Sequence, residues 1–368
     1  MGGVIDAPAL PPPAIVAPAP REVSFGLVVG SAPVGTRRVI VRVGEQVLAD
    51  RPLRGARFSL RVDLPPRIVS VRVTAVDGVG RRSSSVVAGV RGLPQRAAPR
   101  AATPQLDRVL SRSVVGLARS FAGTSGIYVQ DLVTGRGAAW NATARFPAAS
   151  TLKLAVAVTV LRARSGVPAP GSQVGALLTS MLVRSDNDAA NALEVWLAGS
   201  TSAGSARVNE TMRALGLVDS EMYGGYERTP QGLAAPIPIR TESSPAFGVG
   251  KYTTAWDLAR LARAVYLAAD GKGQLPALGV TASEARHLLW LLALVDDRGK
   301  LGRYVAPGVS VLHKAGWLAT ARHDHGIVLW EGGAFVAAVL TWNPRGLGTS
   351  ADVLAGRVAA ESLRRFAR

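Results

Sequence analysis

A serine and a lysine stand three residues apart at the start of a long apolar run, FPAASTLKLAVAVTVL (146–161). At helical spacing, Ser150 and Lys153 lie on one face of the first turn, where free backbone N–H groups can stabilise an oxyanion. Burial in an apolar helix disfavours an ammonium group, so Lys153 can supply a neutral amine as a base, which an arginine cannot. The pair indicates nucleophilic catalysis through serine, although such spacing also occurs by chance in helices that carry no site.

Two further polar groups interrupt apolar segments downstream. In LVRSDNDAANAL (182–193), Ser185 can relay a proton and the amide of Asn187 can donate and accept hydrogen bonds; the alternative is an ordinary helix cap. In VSVLHKAGW (309–317), the small residues after Lys314 leave room for a substrate at a strand edge; the alternative is an edge lysine that prevents aggregation. Each alternative is sufficient alone, but the three groups in this order favour one site.

Two histidines, His323 and His325, flank Asp324 on a predicted strand, so their rings share a face and a metal pair is an alternative use for them. The chain contains no cysteine, and no third ligand accompanies the pair in the sequence. We therefore expect no metal ion and no cofactor.

The charge of the chain is strongly positive: 43 lysines and arginines stand against 25 acidic residues among 368, a net charge of +18. Five of these cations are lysines and 38 are arginines, scattered along the chain without a dense basic run. Nucleic-acid-binding modules concentrate their cations, so the pattern disfavours a nucleic-acid partner and fits an anionic surface such as a bacterial envelope. No apolar run is long enough for a transmembrane segment, and the first residues lack a signal-peptide pattern.

Changes in composition and in hydrophobic periodicity along the sequence predict two domains and two linkers. Residues 1–21 are rich in alanine and proline, which favours an extended tether. Short β-branched runs of period two follow over 22–94 and predict a small all-β, immunoglobulin-like sandwich with a spacing or docking role. A second linker, 95–104, precedes a domain over 105–368 that holds the residues described above.

This second domain is predicted to be α+β. An apolar stripe that starts at Leu106 predicts a first helix over 105–121, and a β-hairpin follows. Helices dominate 146–310, three strands come next, and an amphipathic helix over 349–367 ends the pattern. The hairpin and the three late strands predict a five-stranded antiparallel-type sheet with terminal helices and an inserted all-helical lobe.

Three short motifs carry a family resemblance: S-T-L-K at 150–153, S-D-N at 185–187 and K-A-G at 314–316. In this order they resemble the signature elements of class A serine β-lactamases and of related penicillin-recognising serine enzymes. The contexts F-P-x-x-S-T-x-K and T-T-A-W-D-L-A (253–259) are similar to that family as well. The resemblance covers about 104–368 and implies the α/β sandwich of the serine β-lactamases and transpeptidases.

The resemblance implies a role for each matching residue. Ser150 would be the acylated nucleophile, Lys153 its general base and Ser185 the proton relay. Backbone N–H groups of Ser150 and Trp317 would form the oxyanion hole. The other substrate contacts come from the second and third motifs and the strand after them: Asn187, Lys314, Gly316, Trp317 and Arg322.

Three departures from the family pattern bear on activity. The third motif is K-A-G rather than K-T-G, so a hydroxyl that contacts the substrate carboxylate is missing and weaker binding is expected. Only 35 residues separate Ser150 from Ser185, which indicates a shorter rim on one side of the site. The family's deacylating glutamate, in E-x-x-L-N, has no match; Glu227 is the favoured candidate, ahead of Glu242 and Glu221, and the absence of any such base is the remaining alternative.

The leading hypothesis is an extracytoplasmic serine hydrolase that opens β-lactam amides through an acyl-enzyme, with a β-lactam or a peptidoglycan peptide as its small-molecule substrate. The first alternative is a D-Ala-D-Ala peptidase or penicillin-binding protein on the same fold, which is acylated but releases its product slowly. The alternative from another class is a non-catalytic protein that only recognises cell-wall peptide. Steady turnover, a long-lived adduct and no adduct distinguish the three.

Overall fold

The chain divides into two units, Met1–Arg96 and Ala97–Arg368. The computed structural model describes residues 9–226 and 250–368. Within these residues, no helix combines the length and the apolar character needed to cross a membrane.

Two β-sheets form the first unit. Its strands are β1 (Ala14–Ala17), β2 (Val23–Ser24), β3 (Leu27–Ser31), β4 (Thr36–Val43), β5 (Gln46–Pro52), β6 (Arg57–Arg61), β7 (Ile68–Asp77) and β8 (Arg82–Gly92). The smaller sheet has the order β1-β3-β6 and the larger one β2-β8-β7-β4-β5. Neighbouring strands are antiparallel except β2 and β8, which are parallel.

Alternating side chains fill the space between these sheets. Val28 and Phe58 from the smaller sheet are buried in one core with Val41, Val71 and Val73 from the larger sheet. This is the packing expected when one face of each strand is apolar and the other is polar. The predicted all-β sandwich is therefore present, and its immunoglobulin-like type stays a prediction.

The expected tether over 1–21 is wrong for the residues that form β1. Ala14 pairs with Ser31 of β3, and the carbonyls of Pro11 and Pro13 accept hydrogen bonds from the hydroxyls of Ser83 (2.6 Å) and Ser85 (2.5 Å). Polyproline and β conformations share the extended region of backbone space, so the non-proline residues of a proline-rich segment can still join a sheet.

The second unit contains a sheet of six strands rather than the predicted five. Its strands are β9 (Gln105–Leu106), β10 (Thr124–Asp131), β11 (Arg136–Trp140), β14 (Ser310–Leu318), β15 (Ala321–Trp330) and β16 (Gly333–Trp342), and a separate pair consists of β12 (Phe146–Pro147) and β13 (Tyr252–Thr253). The order is β14-β15-β16-β10-β11-β9. Five strands are antiparallel as predicted, and the two-residue β9 adds a parallel edge beside β11.

Helix α1 begins later than predicted. It spans Arg108–Arg119, and the Asp107 carboxylate caps it by accepting from the N–H groups of Val109 and Leu110 (both 3.0 Å). Leu106 lies before this cap, in β9, with 72% of its surface exposed, so it is not part of the buried face. Asp107 is the N-cap of α1 and marks its start, which the apolar stripe alone placed too early.

The other helices are α2 (Lys153–Arg162), α3 (Gln173–Val183), α4 (Asn187–Ala198), α5 (Thr201–Ala214), α6 (Ala255–Ala268), α7 (Ala282–Leu292) and α8 (Ser350–Phe366). Helices α1 and α8 share one apolar core with the sheet, which includes Val129 of β10. The preceding residue, Tyr128, contacts Trp256 of α6. Successive strand residues point to opposite faces, so α6 covers the other face, and the inserted lobe of α2–α5 packs beyond it.

The predicted linker 95–104 is mostly bound to the second unit. The carbonyl of Ala97 accepts from the Tyr266 hydroxyl (2.5 Å), and that of Ala102 accepts from the Arg263 guanidinium (3.1 Å). Prolines remove backbone donors but leave every carbonyl free to accept, which allows polar side chains of α6 to hold this segment.

Candidate active site

Ser150 lies on a short 3-10 helix, Ala149–Leu152, that leads into α2. The backbone that leads into this 3-10 helix is held by His323. The Nε2 of His323 donates to the Pro147 carbonyl (2.6 Å), and its Nδ1 accepts from the N–H of Thr341 (3.2 Å). Burial lowers the pKa of His323 to about 4, so this ring is neutral and keeps the tautomer that both bonds require. Ala149 adopts a left-handed φ of 48°, a conformation that costs energy and is typical of functional turns.

Gly316 allows the edge strand β14 to approach the serine closely. A Cβ atom at this position would come 2.7 Å from the backbone nitrogen of Ser150 and 3.0 Å from that of Thr151. Real Cβ atoms essentially never make the first of these contacts, so only glycine fits without a shift. The backbone of Trp317 follows directly, and its side chain is 68% exposed and lines the cleft beside Ser150.

Lys153 is fully buried at the first position of α2. Its Nζ donates to the carbonyl of Ser185 (2.6 Å) and to Oδ1 of Asn187 (2.5 Å), both neutral acceptors. Burial, followed by repulsion from the Lys314 ammonium, lowers the pKa of Lys153 to about 7. A substantial fraction of Lys153 is thus a neutral amine at neutral pH, as a proton acceptor must be.

Ser185 connects the two lysines of the site. Its carbonyl accepts from Lys153, and its hydroxyl accepts from the Lys314 ammonium at 2.9 Å. Ser185 has a left-handed φ of 59°, and Asp186 next to it caps α4 by accepting from two backbone N–H groups. Burial lowers the pKa of Lys314 to about 8, which leaves it mainly positive at pH 7.

A cleft of about 560 Å³ opens beside these groups. The predicted site residues that line it are Ser150, Ser185, Asn187, Lys314 and Trp317. Arg184, Lys300 and Asp297 add two positive charges and one negative charge, and Lys300 donates to Asp297. With Lys314, the charged side chains of the walls sum to a net positive charge, which favours a small anion.

Arg322 does not line this cleft. It pairs in register with Trp317, but its guanidinium lies 3.5 Å from the carboxylate of Asp352 in α8. The contact between Arg322 and a substrate carboxylate therefore stays a prediction. Directly opposed residues of an antiparallel pair share a face of the sheet, so the ion pair with Asp352 rather than the strand register directs the Arg322 guanidinium toward α8.

Three buried polar residues of the site were missed by the sequence analysis. The Tyr226 ring lies 4.6 Å from Nζ of Lys153 and 4.5 Å from Nζ of Lys251. Glu194, fully buried on α4, has its pKa raised to about 8 by burial. Glu194 follows Asn187 by seven residues, which is two helical turns along one face, so its position was readable from the sequence. Lys251 and Tyr226 give no comparable signal.

Of the three candidate deacylating glutamates, only Glu221 lies among the described residues. Glu221 pairs with Tyr252, and its carboxylate accepts from Asn209 of α5 (2.8 Å), so it lies outside the cleft-lining set. Glu227 and Glu242 lie outside the described residues.

Of the two histidines considered as a metal pair, His323 has a structural use, and both rings are buried. Both ring nitrogens of His323 are hydrogen-bonded within the protein, and burial lowers the pKa of His325 to about 3. In the described parts of the chain, no three His, Asp or Glu side chains are grouped to hold a metal ion.

Comparison with known proteins gives a family and a fold. Residues 107–166 and 168–366 match the model of the "Beta-lactamase enzyme family". Among curated proteins, none matches the chain in sequence.

Solved structures resemble the second unit at low sequence identity. PBP-A is 20% identical, with a TM-score of 0.57, over 72% of this chain and 98% of PBP-A. The β-lactamase of Streptosporangium roseum is 20% identical, with a TM-score of 0.56, over 71% of this chain and 99% of that enzyme. A PBP-A variant in an acyl-enzyme complex with penicillin G is 19% identical, with a TM-score of 0.53, over 72% and 98% of the two chains. At such identities the likeness shows a common mixed α+β fold.

Proposed function

Because this chain belongs to the Beta-lactamase enzyme family, we propose that it opens β-lactam amide bonds through an acyl-enzyme on Ser150. The observation that carries the proposal is the position of Lys153: fully buried, bonded only to neutral oxygens among the described residues, and with its pKa lowered to about 7. Such a lysine can accept the proton of a neighbouring serine hydroxyl.

In the proposed acylation, Oγ of Ser150 attacks the lactam carbonyl carbon and its proton passes to the neutral amine of Lys153. The carbonyl oxygen takes up negative charge, and the backbone N–H groups of Ser150 and Trp317 donate to it. The C–N bond then breaks, and the ring nitrogen takes a proton from the Ser185 hydroxyl, which regains one from Lys153. Lys153 is held beside Ser185 by its bond to the Ser185 carbonyl, and the Ser185 hydroxyl accepts from Lys314, which leaves its own O–H able to donate to the ring nitrogen. Both contacts support the proposed relay.

Substrate recognition would use the positive side of the cleft. The Lys314 ammonium is proposed to bind the substrate carboxylate, and the Asn187 amide to bind the substrate amide while it accepts from Lys153. Gly316 is proposed to let the substrate lie against β14, supported by its close approach to Ser150. Because residue 315 is alanine, the carboxylate contact lacks a neighbouring hydroxyl, and weak binding is expected.

Product release needs a water and a base that is unprotonated near neutral pH. Glu194 is unsuited, since burial raises its pKa to about 8 and keeps it mostly protonated at pH 7. We propose Glu227 as this base, with Glu242 as the alternative. Glu227 follows Tyr226 in the chain, and the contact between the Tyr226 ring and Lys153 supports this choice.

A penicillin-binding protein or D-Ala-D-Ala peptidase with slow deacylation is the second candidate function. Asp297 is the one acidic side chain of the described residues that lines the cleft, and it accepts from Lys300 rather than standing free. If neither Glu227 nor Glu242 reaches the acyl group, the acyl-enzyme would persist.

The test combines hydrolysis of a chromogenic cephalosporin with intact-mass spectrometry. The parent should turn over, Ser150→Ala should form no adduct, and Glu227→Gln should acylate normally but turn over about 10²–10⁴ times more slowly. Glu221→Gln is the matched control and should behave as the parent, because its carboxylate faces α5. A long-lived adduct on the parent would favour the second candidate, and no adduct at all would contradict both.

The β-sandwich is proposed to be immunoglobulin-like and to hold the enzyme at an anionic envelope surface outside the cytoplasm. Residues 1–96 contain 14 arginines, no lysine and six acidic residues. Arg42 and Arg72 face each other across β4 and β7, a like-charge pair that an anionic partner would relieve. Salt-sensitive binding to cell walls, lost when their anionic polymers are removed, is the expected result; salt-independent binding would contradict it.

A further inference from the structure

Two lysines share one buried tyrosine behind the candidate nucleophile. Tyr226 is buried, and its ring lies 4.6 Å from Nζ of Lys153 and 4.5 Å from Nζ of Lys251. The two ammonium nitrogens are therefore at most about 9 Å apart. Lys251 is outside the three sequence motifs and has no part in the proposed acylation steps.

The backbone of Lys251 is tied to the segment that carries Ser150. Its carbonyl accepts from the N–H of Ala148 (2.9 Å), two residues before the serine, and the next residue, Tyr252, pairs with Pro147. Its Nζ donates to the carbonyl of Gly225 at 2.7 Å. The Lys251 ammonium is thus held in a fixed place relative to the catalytic turn.

Tyr226 is held just as firmly on the side of α4. Asn191 donates to the Tyr226 carbonyl (2.8 Å) and accepts from its N–H (2.5 Å). The same helix starts with Asn187, the acceptor of Lys153. Both ammonium groups therefore lie over a ring whose backbone is held in a fixed place.

We propose that Lys251 is a positioning residue of the proposed acylation, whose positive charge at the shared ring keeps Lys153 in the neutral amine form. This inference rests on the proposed function for its purpose, but not for the charge coupling itself. Lys251 touches no reacting atom in this scheme and acts only through Lys153.

The balance of charges around Lys153 supports this role. Lys314 on β14 and Lys251 disfavour its ammonium form, whereas Asp186 and Glu194 on α4 favour it. Glu194 is mostly protonated at neutral pH because burial raises its pKa, so its attraction is weak there. A tyrosine face offsets part of the cost of burying one ammonium, and here two ammonium groups compete for it.

The protonation of Lys153 can be measured without any enzymatic turnover. The chain has only five lysines, so the protein labelled with ¹³C at the lysine ε-carbons gives five resolvable signals, and Lys153→Arg identifies one of them. In the parent, this signal should titrate near pH 7. In Lys251→Met its midpoint should rise by about one pH unit, the size expected for two charges at this separation in a protein interior.

Two controls separate charge from packing. Lys251→Arg keeps the positive charge over the ring and should leave the midpoint unchanged. Lys272→Met removes an exposed lysine that pairs with Asp270, and it should leave the midpoint unchanged as well. Lys251→Gln replaces Lys251→Met if the latter does not fold.

The same shift should appear in the acylation rate. The acid limb of the pH profile for adduct formation should move up with the Lys153 midpoint, so that the rate at pH 6 falls by about tenfold while the alkaline plateau is kept. An unmoved midpoint in a folded neutral Lys251 variant overturns the inference, even if the parent is acylated. A parent that never forms an adduct, although the midpoint moves, overturns the proposed function instead.

Discussion

The two faces of the β14–β15 pair differ in the partners that they provide for buried polar and charged side chains. On the face toward α8, His313 donates to Asp324 (2.8 Å), and Arg322 lies against the carboxylate of Asp352. On the cleft face, Lys314 donates to the hydroxyl of Ser185 and to the carbonyl of Ala315, which are neutral. Lys153 behind it likewise has only neutral acceptors among the described residues.

This difference in hydrogen-bond partners gives the two faces of one strand pair different roles, one in stability and one in reactivity. A buried cation with a carboxylate partner is neutralised and unavailable, whereas one held by neutral oxygens keeps an uncompensated desolvation cost. That cost lowers the pKa values of Lys153 and Lys314 to about 7 and about 8. The cleft face is thus suited to proton transfer and anion binding, and the other face to holding the sheet together.

The largest effect is expected from a methyl group added on the cleft face. Gly316→Ala places its Cβ within 2.7 Å of the Ser150 nitrogen, so strand and serine must move apart. Displacements approaching 1 Å cost roughly 10²-fold in rate, so adduct formation should slow by about 10–100-fold. The measurement is the acylation rate constant from time-resolved intact mass.

The matched control is Gly308→Ala, just before β14, where a Cβ atom would meet nothing within 4 Å. It should be acylated at the rate of the parent. Equal rates for Gly316→Ala and the parent would mean that the approach of β14 to Ser150 is not needed for acylation.

A change on the opposite face should affect stability instead. Asp324→Asn removes a buried charge that accepts from His313 and from the N–H of Leu301 (3.1 Å). We expect a loss of about 2 kcal/mol in the free energy of unfolding, or roughly 5 °C in Tm, seen by calorimetry. Asp324 also favours the ammonium form of Lys314, so acylation, measured at pH 6 and at a temperature well below Tm, should fall by less than about tenfold. A selective loss of acylation, with Tm unchanged, would show that the two faces are not separate.

The smallest effect is expected for Arg322→Ala. Its partly buried ion pair with Asp352 is long, at 3.5 Å, and should contribute less than about 1 kcal/mol. The rate and affinity for a carboxylate-bearing penicillin should change less than about twofold. Steady-state kinetics with one penicillin check this. A fivefold or larger rise in KM would show that Arg322 binds the substrate carboxylate, as the family resemblance implies.

Much of this architecture was predictable because it follows from periodicity. Alternating residues predicted the sandwich strands, and the order of strands and helices predicted the α+β sheet with its inserted lobe. The motifs S-T-L-K, S-D-N and K-A-G predicted which residues gather at the cleft, since each motif fixes its own local geometry. Ser150, Ser185 and Lys314 do lie on one cleft.

What the sequence did not reveal depends on contacts between distant segments. Tyr226 and Lys251 meet Lys153 only because Asn191 and Ala148 hold their backbones, and no local pattern encodes such contacts. The placement of Arg322 depends on which face of β15 meets α8. Strand β1 was not predicted because a proline-rich composition indicates an extended backbone but does not indicate whether that backbone pairs with another strand.

The burial of the lysines has a practical consequence for handling the protein. Lys153, Lys251, Lys300 and Lys314 are all buried, and Lys272 is the one exposed lysine side chain. The surface cations are otherwise arginines, which do not react with the usual amine-directed esters. A reagent too bulky to enter the cleft that Lys300 and Lys314 line should therefore couple the folded chain to a dye or a solid support mainly through Lys272 among its lysines. Denaturation would expose the other four, so the number of labels per chain would report unfolding.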